Sequence, residues 1–211
     1  LNRDLTKMGS LCEEALALAA KALANADGQT AAKIAPIDSE IDQMERTIES
    51  LCLKLLLQQQ PVARDLRQIS AALKMITDME RIGDQASDIA EIIGFLNGRI
   101  GTDAQYICQM AVAAMRMVTE SVDAFVKRDL DLCRNVINRD DVVDNAFNEI
   151  KEKLADMIYG EKLEAKTGLD LLMTAKYFER IGDHAVNIAE WVEYSITGQH
   201  RNNEHQDYKN I

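Results

Sequence analysis

The 211-residue sequence contains few of the residues that interrupt regular helices. It has two prolines, Pro36 and Pro61, ten glycines and only 5% aromatic residues. A β-sandwich or barrel needs many short strands joined by turns rich in proline and glycine, so this composition argues against both folds. It is typical instead of a mostly helical globular protein.

Basic residues are also in short supply. Lys and Arg total 24 against 35 Asp and Glu, which gives a formal net charge of −11. A surface of that sign repels phosphate backbones and anionic lipids, so we predict no nucleic-acid binding and no electrostatic docking on a membrane. The sequence has no run of ~20 apolar residues, the length that a membrane-spanning helix requires, which predicts no direct membrane insertion.

The chain has no secretory leader pattern and no clustered cysteines. It begins at Leu1 without a basic segment followed by an apolar one, so we expect a trimmed cytosolic protein. The absence of any CxxC pair disfavours a zinc finger or a disulfide framework. We expect four reduced core residues at Cys12, Cys52, Cys108 and Cys133.

The most informative feature of the sequence is an internal repeat. Residues 78–93 and 177–192 are identical at nine of sixteen positions, at an offset of 99 residues. Farther upstream the matching offset is 102, which pairs Asp27 with Asp129 and Met8 with Met110. The change of offset predicts a loop three residues shorter in the second copy, at the position of residues 58–61.

Each copy contains three helix-length stretches that end at turn-forming residues. They cover residues 5–26, 30–58 and 62–96 in the first copy and 103–127, 130–159 and 163–197 in the second. Pro36 falls inside the second stretch, where it either kinks the helix or marks its true start. We predict an all-α fold with two up-down-up three-helix bundles, each with its own core, over residues 1–98 and 99–198. Residues 199–211 are predicted to form a polar, disordered tail.

Four pairs of carboxylates at i, i+4 spacing recur at matched positions in the two copies. Residues four apart lie on one helix face, where like charges repel, so the pairs do not stabilise the helices that carry them. A solvated acidic face is one explanation, but Glu80 and Asp84 continue a stripe of apolar residues. The pairs are Asp38 with Asp42, Glu80 with Asp84, Asp140 with Asp144, and Glu179 with Asp183.

A glycine lies in the middle of a predicted helix at matched positions, Gly83 and Gly182. Glycine destabilises a helix interior by about 1 kcal/mol relative to alanine. Its recurrence indicates a close approach of two helices, either to make room beside the acids or for tight helix packing alone.

If the second and third helices of a copy face each other at these pairs, four carboxylates converge. Two unit charges ~6 Å apart repel by roughly 3 kcal/mol at an effective dielectric of about 20. Such a cluster must be exposed, partly protonated or bound to cations. Oxygen ligands favour Mg²⁺, Ca²⁺, Mn²⁺ or iron over a structural zinc ion.

The segments ERIGDQASDIAE and ERIGDHAVNIAEWVEY resemble the signature of the PhoU family of phosphate-transport accessory regulators. So do the sequence ARDLR at residues 63–67 and the motifs Asp-x-x-Ile-Asp at 38–42 and Asp-x-x-Val-Asp at 140–144. The likeness covers residues 5–198, nearly the whole chain, and the doubled ERIGD motif in a tandem helical repeat is specific.

The resemblance implies a non-enzymatic cytoplasmic regulator, commonly a homodimer, that represses the phosphate-starvation response when phosphate is plentiful. It implies two partners, the ATP-binding subunit of a phosphate ABC transporter and a sensor histidine kinase. Some members carry metal clusters on paired acidic motifs, so the implied cofactors are iron, manganese, magnesium or zinc ions. No catalytic residue is implied, and the implied metal ligands are Asp38, Asp42, Glu80 and Asp84, with Asp140, Asp144, Glu179 and Asp183 in the second copy.

The two copies are not identical around these acids. Asp88 and Asp78 of the first copy match Asn187 and Tyr177 of the second, so the first site has more carboxylates and room for more metal. The arginines of the two ERIGD motifs either neutralise neighbouring acids or form ion pairs at the surface. We expect His184, which points about 100° away from Asp183, to be a satisfied or exposed histidine rather than a ligand.

Two other interpretations remain open. A di-metal oxidase or hydrolase would also place carboxylates in a helical bundle, but ferritin-like sites use Glu-x-x-His motifs, and none occurs at these positions. An inert scaffold with surface acids would keep its stability and regulation when the acid pairs are neutralised.

Overall fold

Six long helices and one short helix make up the described part of the chain. The structure, a computed structural model, describes residues 1–59, 61–96 and 104–199. In chain order the helices are α1 (Asn2–Asn25), α2 (Gly28–Ala31), α3 (Ile34–Gln59), α4 (Ala63–Leu96), α5 (Ala104–Lys127), α6 (Leu130–Tyr159) and α7 (Ala165–Thr197). The predicted all-α fold is confirmed. None of these helices combines the length and the apolar character needed to cross a membrane.

The predicted boundaries fall largely on residues outside this part of the chain. The junction between the copies at residues 97–103 and the tail from residue 200 onward lie outside the described residues. The division at residues 98 and 99 therefore stays a prediction.

The two copies begin their second helical segment with the same turn. Ala26 and Arg128, which are 102 residues apart, both have left-handed backbone conformations, with φ of 51° and 55°. The next residue in each copy, Asp27 or Asp129, accepts a 2.9 Å hydrogen bond from a backbone N–H of the following helix. Such capping satisfies one of the unpaired N–H groups at a helix start and fixes where the helix begins.

The copies differ just after this turn. In the second copy α6 runs without interruption from Leu130, whereas in the first α2 ends at Ala31 and α3 begins at Ile34. Pro36 explains the break, since a proline ring clashes with the carbonyl of the residue four positions earlier and has no N–H to donate. Of the two predicted roles for Pro36, the structure supports the start of the long helix.

The prediction of a shorter loop in the second copy is wrong. Three residues separate α3 from α4, but five separate α6 from α7. The second copy has shorter helix ends instead. Gly160 caps α6, and Glu161 follows it in a left-handed conformation with φ of 55°, so α6 ends before the position matching the end of α3.

The two helical bundles share one core. Helices α1, α3 and α4 pack together, as do α5, α6 and α7, and further contacts join α1 to α5 and α4 to α7. Buried apolar residues from both copies form a single cluster. The interiors of the two bundles are therefore continuous, because α1 also contacts α5 and α4 also contacts α7.

The four cysteines are free thiols, as predicted. Cys12, Cys52 and Cys133 are buried, whereas Cys108 is half-buried. Burial raises the pKa of the Cys12 and Cys133 thiols to about 12, so they are neutral at physiological pH and act as small apolar core residues.

Candidate metal centres

Two matched clusters of carboxylates form where the second and third long helices of each copy face each other. We call them centre 1 and centre 2. In each, one oxygen from each of three carboxylates lies within 4.8 Å of the other two. Centre 1 contains Asp38 and Asp42 of α3 with Asp84 of α4, and centre 2 contains Asp140 and Asp144 of α6 with Asp183 of α7. The structure therefore brings together three of the four predicted ligands in each copy.

The fourth predicted ligand of each copy lies beside its centre, outside the group of three oxygens. Glu80 and Glu179 precede the aspartate of the third helix by one turn, and both are half-buried. Burial, followed by the charges of Asp84, Glu45 and Asp42, raises the pKa of Glu80. Glu80 therefore shares the electrostatic field of centre 1 from its edge.

Gly83 makes room for a carboxylate of centre 1. A Cβ at this position would lie 2.7 Å from Oδ1 of Asp38 and 3.0 Å from Cδ1 of Ile41, closer than atoms approach without displacement. At Gly182 the corresponding Cβ would lie 3.3 Å from Val143 and 3.7 Å from Oδ1 of Asp140. The predicted close approach of the helices is confirmed, and in the first copy it admits the acid itself.

Each centre contains a buried carboxylate oxygen without a hydrogen-bond partner. These atoms are Oδ1 of Asp38 and Oδ1 of Asp140, and neither has a hydrogen-bond partner among residues 1–59, 61–96 and 104–199. A buried acceptor that lacks a partner costs about 1–3 kcal/mol, and more when it is charged. A hard cation would satisfy such an oxygen directly, so the residues present fit a metal ion.

Burial raises the pKa of four aspartates in the centres. Burial and then the neighbouring carboxylates raise the pKa of Asp84 and Asp183, and they raise that of Asp140 to about 6. Burial also raises the pKa of Asp38, but Ser87 donates a hydrogen bond to its Oδ2 at 2.8 Å and opposes the rise. Asp140 lacks that donor, because the residue matching Ser87 is a valine.

Sequence comparison with known proteins matches both copies to one family. A family model described as PhoU domain matches residues 5–93 and 107–192. The chain belongs to the PhoU family. Among curated PhoU relatives, the chain is similar to a protein of Clostridium acetobutylicum named phosphate-specific transport system accessory protein PhoU homolog. The two are 38% identical, over 94% of this chain and 92% of that protein.

Solved PhoU structures have the same fold. The crystal structure of PhoU from Pseudomonas aeruginosa matches with a TM-score of 0.88 and 35% identity, over 93% of this chain and 95% of that one. The phosphate transport system regulatory protein PhoU from Streptococcus pneumoniae matches with a TM-score of 0.86 at 24% identity, over 93% of each chain. The curated relatives are named accessory proteins rather than enzymes, in agreement with our prediction of a non-enzymatic protein.

Centre 1 of this PhoU chain has two carboxylates beyond the predicted set of four. Asp88, noted in the sequence as an additional acid, contributes to the raised pKa of Asp38 and Asp84. Glu45, which sequence reasoning missed, lies one turn after Asp42 on α3 and accepts a 3.5 Å hydrogen bond from the Thr77 hydroxyl of α4. Its spacing from Asp42 could have revealed it, but its counterpart in the second copy is Phe147, so the repeat comparison hid it.

Centre 2 has a lysine where centre 1 has a threonine. Lys176 occupies the position of Thr77, and its Nζ lies 2.5 Å from a carboxylate oxygen of Glu179. The same ammonium group lies 5.2 Å from the ring centroid of Phe147. Glu179 is thus paired with an internal cation, whereas no ion pair involves Glu80 within the described ranges. The two PhoU copies therefore present unequal sites to cations.

Replacing Lys176 with threonine should strengthen cation binding at centre 2. A unit charge a few ångströms away contributes about 1 kcal/mol in a solvent-exposed site, so we expect roughly fivefold tighter Mn²⁺ binding there, measured by calorimetric titration. The reciprocal variant, Thr77→Lys, should weaken binding at centre 1 by a similar factor. Unchanged affinity in both variants would show that Lys176 does not control the site.

The seam between α4 and α7 connects the two copies through polar contacts. Nδ1–H of His184 donates to Oδ1 of Asp78 at 2.8 Å, and Nδ2 of Asn187 donates to the same oxygen at 3.2 Å. At the matched end of the seam, burial and then the charge of Asp88 raise the pKa of the Tyr177 hydroxyl, which reflects how near these two side chains lie. His184 is therefore a satisfied structural histidine, as predicted, and its use in this bond disfavours the ferritin-like alternative.

Proposed function

We propose that this chain is a cytoplasmic accessory regulator of phosphate uptake that represses the phosphate-starvation response when phosphate is plentiful. The observation that carries the proposal is the match of both copies to the PhoU domain, in a chain whose curated relatives are named accessory proteins of phosphate-specific transport. The chain acts on other proteins rather than on a substrate.

The proposed mode of action is that of a helical adaptor. Its partners are the ATP-binding subunit of a phosphate ABC transporter and a sensor histidine kinase, and the chain works as a homodimer. Long bundles support this role physically, because they offer extended faces on which other helices can dock. Exposed apolar side chains such as Val112, Val142 and Leu169, which are 55%, 57% and 59% exposed, are available for such contacts.

Centres 1 and 2 are the proposed cation sites of the regulator. Asp38, Asp42 and Asp84 would hold a cation at centre 1, with Glu80 at its edge. Asp140, Asp144 and Asp183 would hold one at centre 2, with Glu179 at its edge. Oxygen ligands suit magnesium, manganese or iron, with zinc as a weaker candidate. A bound cation would supply positive charge that offsets carboxylate repulsion and links the two facing helices of a copy.

Elemental analysis of the protein purified without chelator or metal resin tests the cation sites. We expect stoichiometric metal in the wild type and its loss in the variant Glu80→Gln, Asp84→Asn, Glu179→Gln, Asp183→Asn. The matched control is Glu152→Gln with Asp156→Asn, an exposed Glu-x-x-x-Asp pair outside both centres, and it should retain the metal. A metal-free wild type, with a variant at least as stable, would reject the sites.

Complementation tests the regulatory role. In a bacterial host that lacks its own PhoU-family gene, the chain should restore repression of a phosphate-starvation promoter at high phosphate. A reporter driven by that promoter measures repression, and an immunoblot checks that the chain is present. Full reporter activity despite normal amounts of folded chain would contradict the proposed function.

A further inference from the structure

A groove on the α4–α7 seam contains the arginines of both ERIGD motifs. The groove has a volume of about 240 Å³ and lies beside centre 1, with which it shares Asp84. Its walls are formed by residues of both copies: Arg81, Asp84, Gln85, Asp88 and Arg180. Arg81 and Arg180 are 99 residues apart and occupy matched positions in the repeat, so the two copies direct the same side chain to one place.

The two guanidinium groups are available to a ligand. Arg81 and Arg180 are exposed, and neither forms an ion pair within residues 1–59, 61–96 and 104–199. By contrast, Arg116 and Arg139 are both paired with Glu120. Each guanidinium has five N–H donors and stays charged at every physiological pH.

Two guanidinium groups from different helices suit a tetrahedral oxyanion. A planar carboxylate offers one pair of oxygens to one bidentate fork, whereas a tetrahedral ion has several edges for forks that approach from different helices. Asp84 and Asp88 add acceptors to the same groove. Hydrogen phosphate has a P–OH group that can donate a hydrogen bond to such a carboxylate, whereas sulfate at neutral pH has no O–H donor.

The same two carboxylates make the groove responsive to centre 1. The two arginines and two aspartates of the groove sum to no net charge, but Asp38 and Asp42 of centre 1 add two negative charges beside it, so the groove repels a dianion when centre 1 holds no cation. A divalent cation in centre 1 would offset those two charges and so remove most of the repulsion that opposes a dianion beside the arginines. Anion binding in the groove is thus linked to cation binding beside it.

We propose that this groove binds hydrogen phosphate when centre 1 carries a cation, with Arg81 and Arg180 as the main donors and Asp88 as the acceptor of a hydrogen bond from its P–OH group. The inference rests on the proposed cation site for its coupling, but not for its binding residues. It would give the regulator a direct contact with the ion whose transport its relatives assist.

Calorimetric titration of the Mn²⁺-loaded 211-residue chain with inorganic phosphate tests the proposal. We expect binding at least tenfold weaker after Arg81→Gln with Arg180→Gln, and unchanged binding after Arg3→Gln with Arg64→Gln, two exposed arginines outside the groove. Manganese content, measured in each sample, should be equal in all three proteins. Asp88→Asn should remove the preference for phosphate over sulfate in competition.

A second variant separates this proposal from the metal proposal. Asp84→Asn removes a negative charge from the groove, so without added metal it should bind phosphate more tightly than the wild type does. If the wild type takes up no Mn²⁺ but Asp84→Asn binds phosphate through the two arginines, the cation site is rejected and the groove stands. Phosphate binding that is indifferent to the arginines, or absent from both proteins, would overturn the inference. Phosphoserine binding as tightly as phosphate would contradict a site for the free ion.

Discussion

Alanine at Gly83 is expected to destabilise the protein by about 1–3 kcal/mol more than alanine at Gly182. Both replacements gain about 1 kcal/mol of helix propensity, so that term cancels between the two variants. What differs is the space beside each glycine. The new Cβ would lie 2.7 Å from Oδ1 of Asp38 at position 83, but no closer than 3.3 Å to any neighbour at position 182.

The alanine at position 83 should also weaken centre 1. Asp38 can escape the contact only by turning its carboxylate, and its other oxygen is held by Ser87 at 2.8 Å. We therefore expect Mn²⁺ affinity at centre 1 to fall at least tenfold, while Gly182→Ala leaves centre 2 within a factor of about two. Urea unfolding and calorimetric titration of the two variants measure both effects. Equal stability and equal affinity would show that Asp38 relaxes freely and that Gly83 has no role in the site.

Neutralising Asp140 should stabilise the chelator-treated protein at pH 7.5 by about 1–2 kcal/mol. A rise of its pKa from 3.8 to about 6 would correspond to about 3 kcal/mol, which solvent screening of this half-exposed group reduces. The folded protein holds this proton more tightly than the unfolded chain does. The contribution of Asp140 to stability is thus fully present below pH 3.8 and is lost as the pH rises through about 6.

The test is urea unfolding of wild type and Asp140→Asn with chelator at pH 5.0 and 7.5. The advantage of the variant at pH 7.5 should fall by about half at pH 5.0, because the wild-type carboxyl is then largely protonated in the folded state. Asp141→Asn, at an exposed neighbour, is the control and should change little. Val186→Ser places in centre 2 the hydroxyl that Ser87 provides in centre 1. It should reduce the difference in unfolding free energy between chains with and without Asp140→Asn at pH 7.5. If Asp140→Asn is more stable than the wild type by the same amount at both pH values, packing rather than charge explains its added stability.

Sequence patterns predicted the helices best where turn chemistry is local. The predicted α6, residues 130–159, coincides with the observed helix, because Asp129 caps its start and Gly160 ends it. Pro36 left two alternatives, and the observed break between α2 and α3 decides for the start of the long helix. The loop length was predicted wrongly, because an alignment offset counts residues and does not distinguish a shortened loop from shortened helices.

The acid pairs were visible in the sequence because spacing four residues apart defines a helix face. What the helix opposite contributes could be inferred only where both copies carry the same residue. Glu45 and Lys176 have counterparts of different chemistry, Phe147 and Thr77, so comparison of the repeats concealed them. The bond between Asp78 and His184 joins residues 106 apart, and no local pattern reports a contact of that kind.

The α4–α7 seam has the form of a two-fold symmetric dimer interface inside a single chain. Asp78 of the first copy meets the segment around residues 184–187, and Tyr177, its counterpart, meets Asp88. In a dimer of identical single repeats, each such contact would occur twice and any substitution would change both ends together. In a single polypeptide that holds both repeats, this constraint does not apply. One end of the seam can therefore hold Asp78 with His184 and Asn187 while the other holds Tyr177 with Asp88. For the same reason, centres 1 and 2 can differ in their affinity for cations.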